Sequence, residues 1–305
     1  MKIYDGFKDK RIRRKPRCVA IGIFDGVHRG HQKILLQALK DARRIHAEPM
    51  VVTFEPHPSK VLRPDMSQPI LMSLAHRLRF FEKMGIKETL VIRFDRAFSK
   101  ISHRFFLNEL LCKQLGMRSL SVGEDFRFGF HGLGDTRFLS EESKHLGFGL
   151  ALVRSLKDHG EIISSTHIRR LIEKGDLKKA GRMLGRPVSV YGTVVWGRGR
   201  GRSIGFPTAN LDPHHETLPP SGVYAAWGFL DQTRLKGVIH IGKRPTFNDR
   251  QKSLEVHFFD FHRDIYGSEI ELFFISRLRA IKKFKNREGL ILAIQTDAQK
   301  ALKIL

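Results

Sequence analysis

Only two cysteines, Cys18 and Cys112, occur in this chain of 305 residues. Two cysteines cannot supply the disulfide framework of a small secreted domain, and Cys18 lies in an apolar run that predicts a buried strand. We therefore expect reduced thiols and a cytoplasmic protein. Long apolar runs are also missing, and the basic N-terminus lacks the apolar segment found in signal peptides. We accordingly expect no membrane partner.

Acidic residues are scarce beside basic ones, with 31 Asp and Glu against 55 Lys and Arg, which gives a formal charge of +24. Such a charge attracts polyanions. Alternatively, the basic residues are spread over solvated surfaces and partly serve anionic nucleotides. The sequence has no ribonucleoprotein motif, zinc-finger spacing or heptad repeat. We therefore favour the second interpretation and expect no nucleic-acid partner.

The first half of the chain alternates short β-branched runs with helical patterns. This alternation is typical of an α/β domain, in which a parallel sheet is covered by helices on both faces. In such sheets ligands bind beyond the carboxyl ends of the strands, so we expect the polar loops after the strands to form one site. The predicted strands are residues 18–24, 50–54, 89–94, 119–122 and 149–153.

The first predicted strand runs into GIFDGVHRGH at residues 22–31. His28 and His31 lie three residues apart at the start of a predicted helix, a spacing that places both rings on one face. The N–H groups and dipole of a helix N-terminus suit phosphate. An isolated histidine pair is more commonly surface decoration, so the prediction depends on the whole segment. The glycines leave room for a ligand near the backbone: Gly22, Gly26 and Gly30.

Two further segments of this half carry candidate ligand groups. In GEDFRFG, residues 123–129, the rings of Phe126 and Phe128 either pack within the loop or stack on a planar ligand, with Asp125 accepting a hydrogen bond. In ISSTHIR, residues 163–169, the hydroxyls precede a helical pattern. They are either helix caps or, together with an arginine, a clamp for a triphosphate.

The second half changes its pattern near Arg186. Runs that predict strands follow one another with no helix between them, at residues 188–197, 222–230, 235–242, 253–261 and 269–278. Several strands at short spacing indicate a small antiparallel barrel. A helical pattern closes the chain at residues 286–305. The sequence thus predicts two domains, 1–185 and 186–305.

Oxygen-bearing side chains stand out in two strands of the predicted barrel. GRGRGRSIGFPTANL, residues 197–211, is a basic, glycine-rich segment that suits phosphate, although it lacks the ending of a Walker A motif. Thr208 and Asn210 lie two positions apart, so in a strand they face the same side and suit Mg²⁺. Glu255 interrupts an apolar strand, where solvent exposure is the simplest interpretation from spacing alone.

These segments together resemble a known family. GIFDGVHRGH is similar to the phosphate-binding turn of the HxGH nucleotidyltransferases, and in its detail to bacterial FAD synthetases. VGEDFRFG and ISSTHIR match two further segments of that family, and GFPTAN, GKRPTF and DIYG resemble segments of riboflavin kinases. The chain departs from the pattern at residues 130–133 and at Ala280 and Ile281. It thus resembles the bacterial bifunctional riboflavin kinase/FAD synthetases.

The resemblance implies a Rossmann-like FAD synthetase domain followed by a riboflavin kinase barrel. The barrel would form FMN and ADP from riboflavin and ATP, with Mg²⁺ on Thr208 and Asn210 and with Glu255 as the general base. The first domain would form FAD and diphosphate from FMN and a second ATP. We expect a monomer or a weak homo-oligomer.

The resemblance also implies which residues form each site. His28 and His31 would be catalytic. ATP would be bound in the adenylyltransferase site by Gly22, Phe24, Asp25, Gly26, His28, His31, Ser165, Thr166 and Arg169. The flavin would lie on Asp125, Phe126 and Phe128. ATP would be bound in the kinase site by Gly199, Gly201, Gly205, Thr208 and Asn210.

Two alternatives stay open from the sequence. One is a nucleotidyltransferase that acts on another phosphorylated cofactor precursor. The other is a basic protein that binds RNA or an anionic surface on an enzyme scaffold, for which we expect steeply salt-dependent binding and no turnover.

Overall fold

The computed structural model describes residues 1–197, 201, 205–215, 217–230, 233–243 and 252–305. The chain divides into two compact units. The first comprises Met1–Ile70 and Leu74–Ser165, and the second comprises Leu71–Ser73 and Thr166–Leu305. The domain boundary near Arg186 stays a prediction.

A six-stranded sheet forms the centre of the first unit. Its order is β1-β4-β3-β2-β5-β6, and every neighbouring pair is parallel. The strands are β1 (Lys2–Asp5), β2 (Arg17–Ile21), β3 (Glu48–Glu55), β4 (Glu88–Arg93), β5 (Met117–Gly123) and β6 (Gly149–Val153). The predicted α/β fold is therefore confirmed. The sequence analysis missed β1, because four residues with one buried side chain give too weak a pattern.

Helices connect the strands of this sheet. A π-helical segment, Phe106–Gln114, continues directly from the short helix at His103–Phe105. A short hairpin is formed by β7 (Lys157–Asp158) and β8 (Glu161–Ile162). The helices that precede the barrel are α1 (Arg29–Arg44), α2 (Pro58–Leu62), α3 (Leu74–Lys83), α4 (His103–Phe105), α5 (Thr136–Leu146), α6 (Ser165–Lys174) and α7 (Leu177–Leu184). Of these, α7 and all of α6 after Ser165 belong to the second unit. Every residue of β2 is buried, because a strand in the middle of a parallel sheet is covered on both faces.

The second unit contains a closed antiparallel barrel in the order β10-β13-β12-β11-β14-β9. Its strands are β9 (Ser189–Val195), β10 (Ala209–Pro213), β11 (Gly222–Leu230), β12 (Thr233–Lys243), β13 (Lys252–Phe258) and β14 (Glu269–Arg279). The final helix, α8 (Arg287–Ile304), packs on β11, β12 and β14. The predicted barrel and C-terminal helix are confirmed, and β10 is a strand that the sequence analysis did not name.

Within the described residues, none of the helices has both the length and the apolar character needed to cross a bilayer.

A buried ionic cluster holds the amino-terminal arm on the first unit. Glu88, at the start of β4, accepts hydrogen bonds from Arg17 Nε and Tyr4 Oη, each at 2.8 Å, and pairs with Lys15 Nζ at 2.9 Å. Burial opposes the ionisation of Glu88, but these three donors outweigh it and lower its pKa. Since Arg17 is fully buried, its charge depends on this carboxylate.

Glu88→Gln should therefore destabilise the first unit by about 3 kcal/mol, because it leaves the buried guanidinium of Arg17 without a counter-charge. Urea unfolding followed by far-UV circular dichroism measures this change. Glu82→Gln is the matched control, since Glu82 makes an exposed ion pair with the N-terminal amine. Equal effects of the two substitutions would contradict the assigned role of Glu88.

Candidate active sites

The turn between β2 and α1 has an unusual backbone conformation. Phe24 and Val27 have φ of 54° and 37°, and Gly26 has φ of 82°. Side-chain-bearing residues adopt positive φ only where the surrounding structure imposes it. The ring of Phe24 folds back over the backbone, and a Cβ at Gly22 would lie 3.1 Å from it. Helix α1 begins directly after this turn.

The two predicted catalytic histidines lie side by side at that helix start. Their rings stack with centroids 3.6 Å apart and planes 20° apart, so the expected shared face is present. His28 is the N-cap of α1, and its Nδ1 accepts a hydrogen bond from the backbone N–H of His31 at 3.3 Å. A Cβ at Gly30 would lie 3.2 Å from the His28 ring, so glycine allows this cap to form.

Burial and the nearby His28 and Arg77 all oppose the protonation of His31, and they hold its pKa well below its usual range. Its Nδ1 is buried and has no hydrogen-bond partner among the residues that the structure describes. The His31 side chain is therefore a neutral imidazole at the turn, and its Nδ1 makes no hydrogen bond to the residues that the structure describes.

The second predicted phosphate-binding segment reaches this turn through one hydroxyl. Ser165 Oγ donates a hydrogen bond to the backbone oxygen of Asp25 at 2.8 Å. Thr166 and Arg169 lie in the first turns of α6, which belong to the second unit. Their position relative to the histidines stays a prediction.

A cavity of about 700 Å³ opens at the carboxyl edge of the sheet. Segments that follow β2, β3, β4 and β5 all contribute to it, so the loops predicted to converge do so. Its wall includes aromatic rings from three of these segments. The cavity also extends to the backbone of the turn at residues 22–28, which carries the chain from β2 to the histidine pair and is called the histidine turn below. The lining includes Gly22, Ile23, Phe54, Phe94, Phe98, Phe106, Asp125, Phe126 and Phe128.

The loop after β5 supplies the three predicted flavin-binding residues. Phe126 and Phe128 stack with ring centroids 5.4 Å apart and planes 16° apart, while Asp125 is exposed. Gly129 has φ of 74°, and a Cβ there would lie 2.5 Å from the backbone nitrogen of His103. Of the residues that depart from the family pattern, 130–133, the first three also line the cavity.

Arg77, a buried cation of α3 that contacts the histidine turn, was not predicted as a site residue. The available signal was its spacing: Arg77 lies one helical turn before the buried Phe81 and therefore on the same apolar face.

In the barrel, the predicted metal ligands and the predicted base share one face. Asn210 of β10 lies directly opposite Glu255 of β13 in the strand register, and Thr208 Oγ1 donates to Glu255 Oε2 at 3.4 Å. The adjacent Leu254 and Val256 point into the barrel core, so Glu255 points outward and is half-buried. A side chain at Gly197 would collide with the amide of Asn210.

Thr208 lies between two cavities of the barrel. One, of about 290 Å³, is lined by residues 207–209 and 261–266. The other, of about 270 Å³, is lined by Glu255, His240 and Gly201, and by Ile281 from the segment that departs from the family pattern. Gly205 is exposed with φ of 85°. Residues 198–200, which include Gly199, residues 202–204 and residues 244–247 lie outside the described residues.

Comparison with known proteins identifies both halves of the chain. The FAD synthetase family model matches residues 10–167, and the riboflavin kinase family model matches residues 184–305. A relative from Escherichia coli (strain K12), named bifunctional riboflavin kinase/FMN adenylyltransferase, is 35% identical over 97% of this chain and 96% of its own length. The chain belongs to the bifunctional riboflavin kinase/FMN adenylyltransferase family. A family member from Bacillus subtilis (strain 168) is 33% identical over 93% of this chain and 91% of its own length.

Among solved structures, one from Streptococcus pneumoniae that is described as a macrolide-efflux protein matches 100% of both chains. Its TM-score is 0.85 and its sequence identity to this member of the bifunctional family is 29%.

Stability of the first unit should fall in mild acid because of His31. The unfolded chain protonates this residue below about pH 6.5, whereas the folded site resists the proton, so the free energy of unfolding decreases as the pH drops below that value. Over the first pH unit the contribution of His31 is about 1 kcal/mol. Urea unfolding at two pH values measures it.

His31→Gln should reduce this dependence on pH, and the exposed His145→Gln serves as the control. An unchanged dependence in His31→Gln would show that His31 titrates normally in the folded protein.

Proposed function

We propose that this chain makes FMN from riboflavin in its barrel and then makes FAD from FMN at the carboxyl edge of its sheet. The observation that carries the proposal is the continuity of the histidine turn with the aromatic cavity. Gly22 and Ile23 belong to both, so a nucleotide on the turn and a planar ring against the aromatic wall of the cavity would lie side by side. That is the arrangement that joining a flavin to an adenylate requires.

In the adenylyl transfer, an oxygen of the FMN phosphate attacks the α-phosphorus of ATP, and the bond to diphosphate breaks. A phosphate monoester dianion is already a nucleophile, so no covalent enzyme intermediate is needed. The N–H groups of α1, together with His28 and His31, would stabilise the charge that develops on the leaving diphosphate. Ser165, Thr166 and Arg169 would act on the same group, and Ser165 already lies at the turn.

In the kinase reaction, the terminal hydroxyl of riboflavin attacks the γ-phosphorus of ATP, and ADP leaves. Glu255 would accept the hydroxyl proton. Its carboxylate lines one cavity of the barrel while Thr208 lines both, so the two substrates can approach Thr208 from opposite sides. We assign ATP to the cavity at residues 261–266 and riboflavin to the cavity beneath α8.

The donor set beside Glu255 fits Mg²⁺. Thr208 and Asn210 offer neutral oxygens next to a carboxylate, and hard divalent cations prefer such oxygen ligands. When bound, Mg²⁺ would neutralise phosphate charge during transfer. Thr208 and Asn210 would hold it, and Glu255 would remain available to the riboflavin hydroxyl.

Two free thiols, one of them buried, support a reducing compartment, and we place the protein in the cytoplasm. A monomer or a weak homo-oligomer remains part of the proposal. An acceptor without a planar ring would make no use of the aromatic wall of the first cavity, and the polyanion-binding alternative would leave all three described cavities without a role.

Separate substrates test the two sites. His28→Ala should abolish FAD formation from FMN and ATP while FMN formation from riboflavin and ATP continues, because the histidine pair belongs to the first unit only. Glu255→Gln should do the reverse. Chromatographic assay of both products in both variants makes the comparison, and equal loss of both activities in either variant would contradict two independent sites.

The metal assignment has its own test. Asn210→Ala should raise the Mg²⁺ concentration needed for half-maximal FMN formation by about 10-fold, because it removes one oxygen ligand. The Mg²⁺ dependence of FAD formation is the internal control and should not change. If the kinase dependence on Mg²⁺ also stays at the wild-type value, Asn210 is not a ligand.

A further inference from the structure

Arg77 is a buried charge that neither proposed reaction uses. It lies on α3, which faces the histidine turn, and only 3% of its surface is exposed. Burial of a guanidinium is costly unless its donors are paired, and an apolar side chain would fill the same space at less cost. Its contacts therefore indicate what the charge does.

The guanidinium is hydrogen-bonded to the backbone that enters the turn. Arg77 Nη1 donates to the carbonyl oxygen of Ile23 at 2.7 Å and to Thr53 Oγ1 at 2.9 Å. Thr53 Oγ1 in turn donates to the same carbonyl of Ile23 at 3.2 Å. The three groups form a closed triangle of hydrogen bonds. Two donors, Arg77 Nη1 and Thr53 Oγ1, therefore fix the orientation of the Ile23 carbonyl.

The carboxylate of Glu55 is the counter-charge of Arg77. Arg77 Nη2 donates to Glu55 Oε2 at 2.5 Å, at the end of β3. Burial lowers the pKa of Arg77, while Glu55 and Asp25 oppose that effect. The guanidinium therefore stays charged and joins the ends of β2 and β3 to α3.

Fixing the Ile23 carbonyl also fixes the residue that follows it. Phe24 adopts φ of 54°, and its ring meets the ring of His31 edge-on, with centroids 5.4 Å apart. On its other side the same ring meets Phe81 of α3 at 5.6 Å. A contact path thus runs from Arg77 through the Ile23 carbonyl and the Phe24 ring to His31.

We propose that Arg77 is a positioning residue for adenylyl transfer: it holds the Ile23–Phe24 peptide in the conformation that presents His31 to the triphosphate. This inference rests on the proposed function of the first unit. Arg77 acts through the turn and does not touch the reacting atoms.

The charged and titratable groups around His31 provide a second readout. His28 stacks on it from the helix cap, and Arg77 faces it from α3. Asp25 in the turn and Glu55 at the end of β3 act on Arg77. Because the charge of Arg77 opposes protonation of His31, removing that charge should move the titration of His31 to higher pH.

The test compares Arg77→Gln, Arg77→Lys and Thr53→Val, with Arg79→Gln as the matched control. Arg79 is exposed and lies two residues from Arg77, hence on the opposite face of the same helix, so its substitution removes the same charge from the solvent side. FAD formation from FMN and ATP is measured across the acidic and neutral pH range, and FMN formation from riboflavin monitors the barrel. Thermal unfolding measures the folded fraction.

Arg77→Gln should lower kcat for FAD formation by about 100-fold, with little change in the KM for FMN, because the histidine is displaced from its working position. The pH inflection of His31 should move upward. Arg77→Lys should recover part of kcat, since it keeps the charge but not the planar fork. Thr53→Val, which leaves Arg77 in place, should give a smaller loss of kcat.

A loss of activity that merely follows the folded fraction, with an unchanged pH profile, would overturn the proposal, as would wild-type kcat in Arg77→Gln. If the wild-type protein itself forms no FAD, the proposed function fails and the role of Arg77 fails with it. Wild-type FAD formation combined with an unaffected Arg77→Gln rejects the inference alone.

Discussion

The left-handed turn between β2 and α1 constrains the whole first unit. Strand β2 is buried along its full length, so the position of the turn at the carboxyl edge is set by the sheet. From there the chain must reverse within a few residues to start α1, and it does so through positive φ at Phe24, Gly26 and Val27. The strain of this backbone is balanced by packing of the Phe24 ring and by hydrogen bonds from the neighbouring elements. The helix N-terminus, the histidine pair and the aromatic cavity all take their places from it.

In the barrel, strand register brings the candidate site residues together. Strand register places Asn210 opposite Glu255, and alternation along each strand directs both away from the core that Leu254 and Val256 occupy. No strained turn is needed to bring these oxygens together. In the proposed reactions, the first half would therefore use backbone groups at a helix start to hold phosphate, and the barrel would use side-chain oxygens on a sheet face.

Much of the fold could be predicted from the sequence because its strands and helices have strong periodicity. The continuous apolar run at β2 and the alternation of strands with helices predicted the parallel sheet. Short elements escaped prediction: β1 contributes four residues, and β10 lies in a segment interpreted as a phosphate loop. Helical spacing predicted that His28 and His31 share one face, whereas their stacking also depends on the extended backbone of His28 at the N-cap. Arg77 could not be assigned a role, because its partners at Ile23 and Thr53 are distant in sequence and meet it only in the folded unit.

The two flavin sites of this chain should work in succession. A chromatographic time course of the wild-type protein with riboflavin, ATP and Mg²⁺ tests this succession most directly. FMN should appear first, and FAD should follow as FMN accumulates. FMN without FAD would contradict the assignment of the histidine turn and its cavity, and the absence of both products would contradict both site assignments.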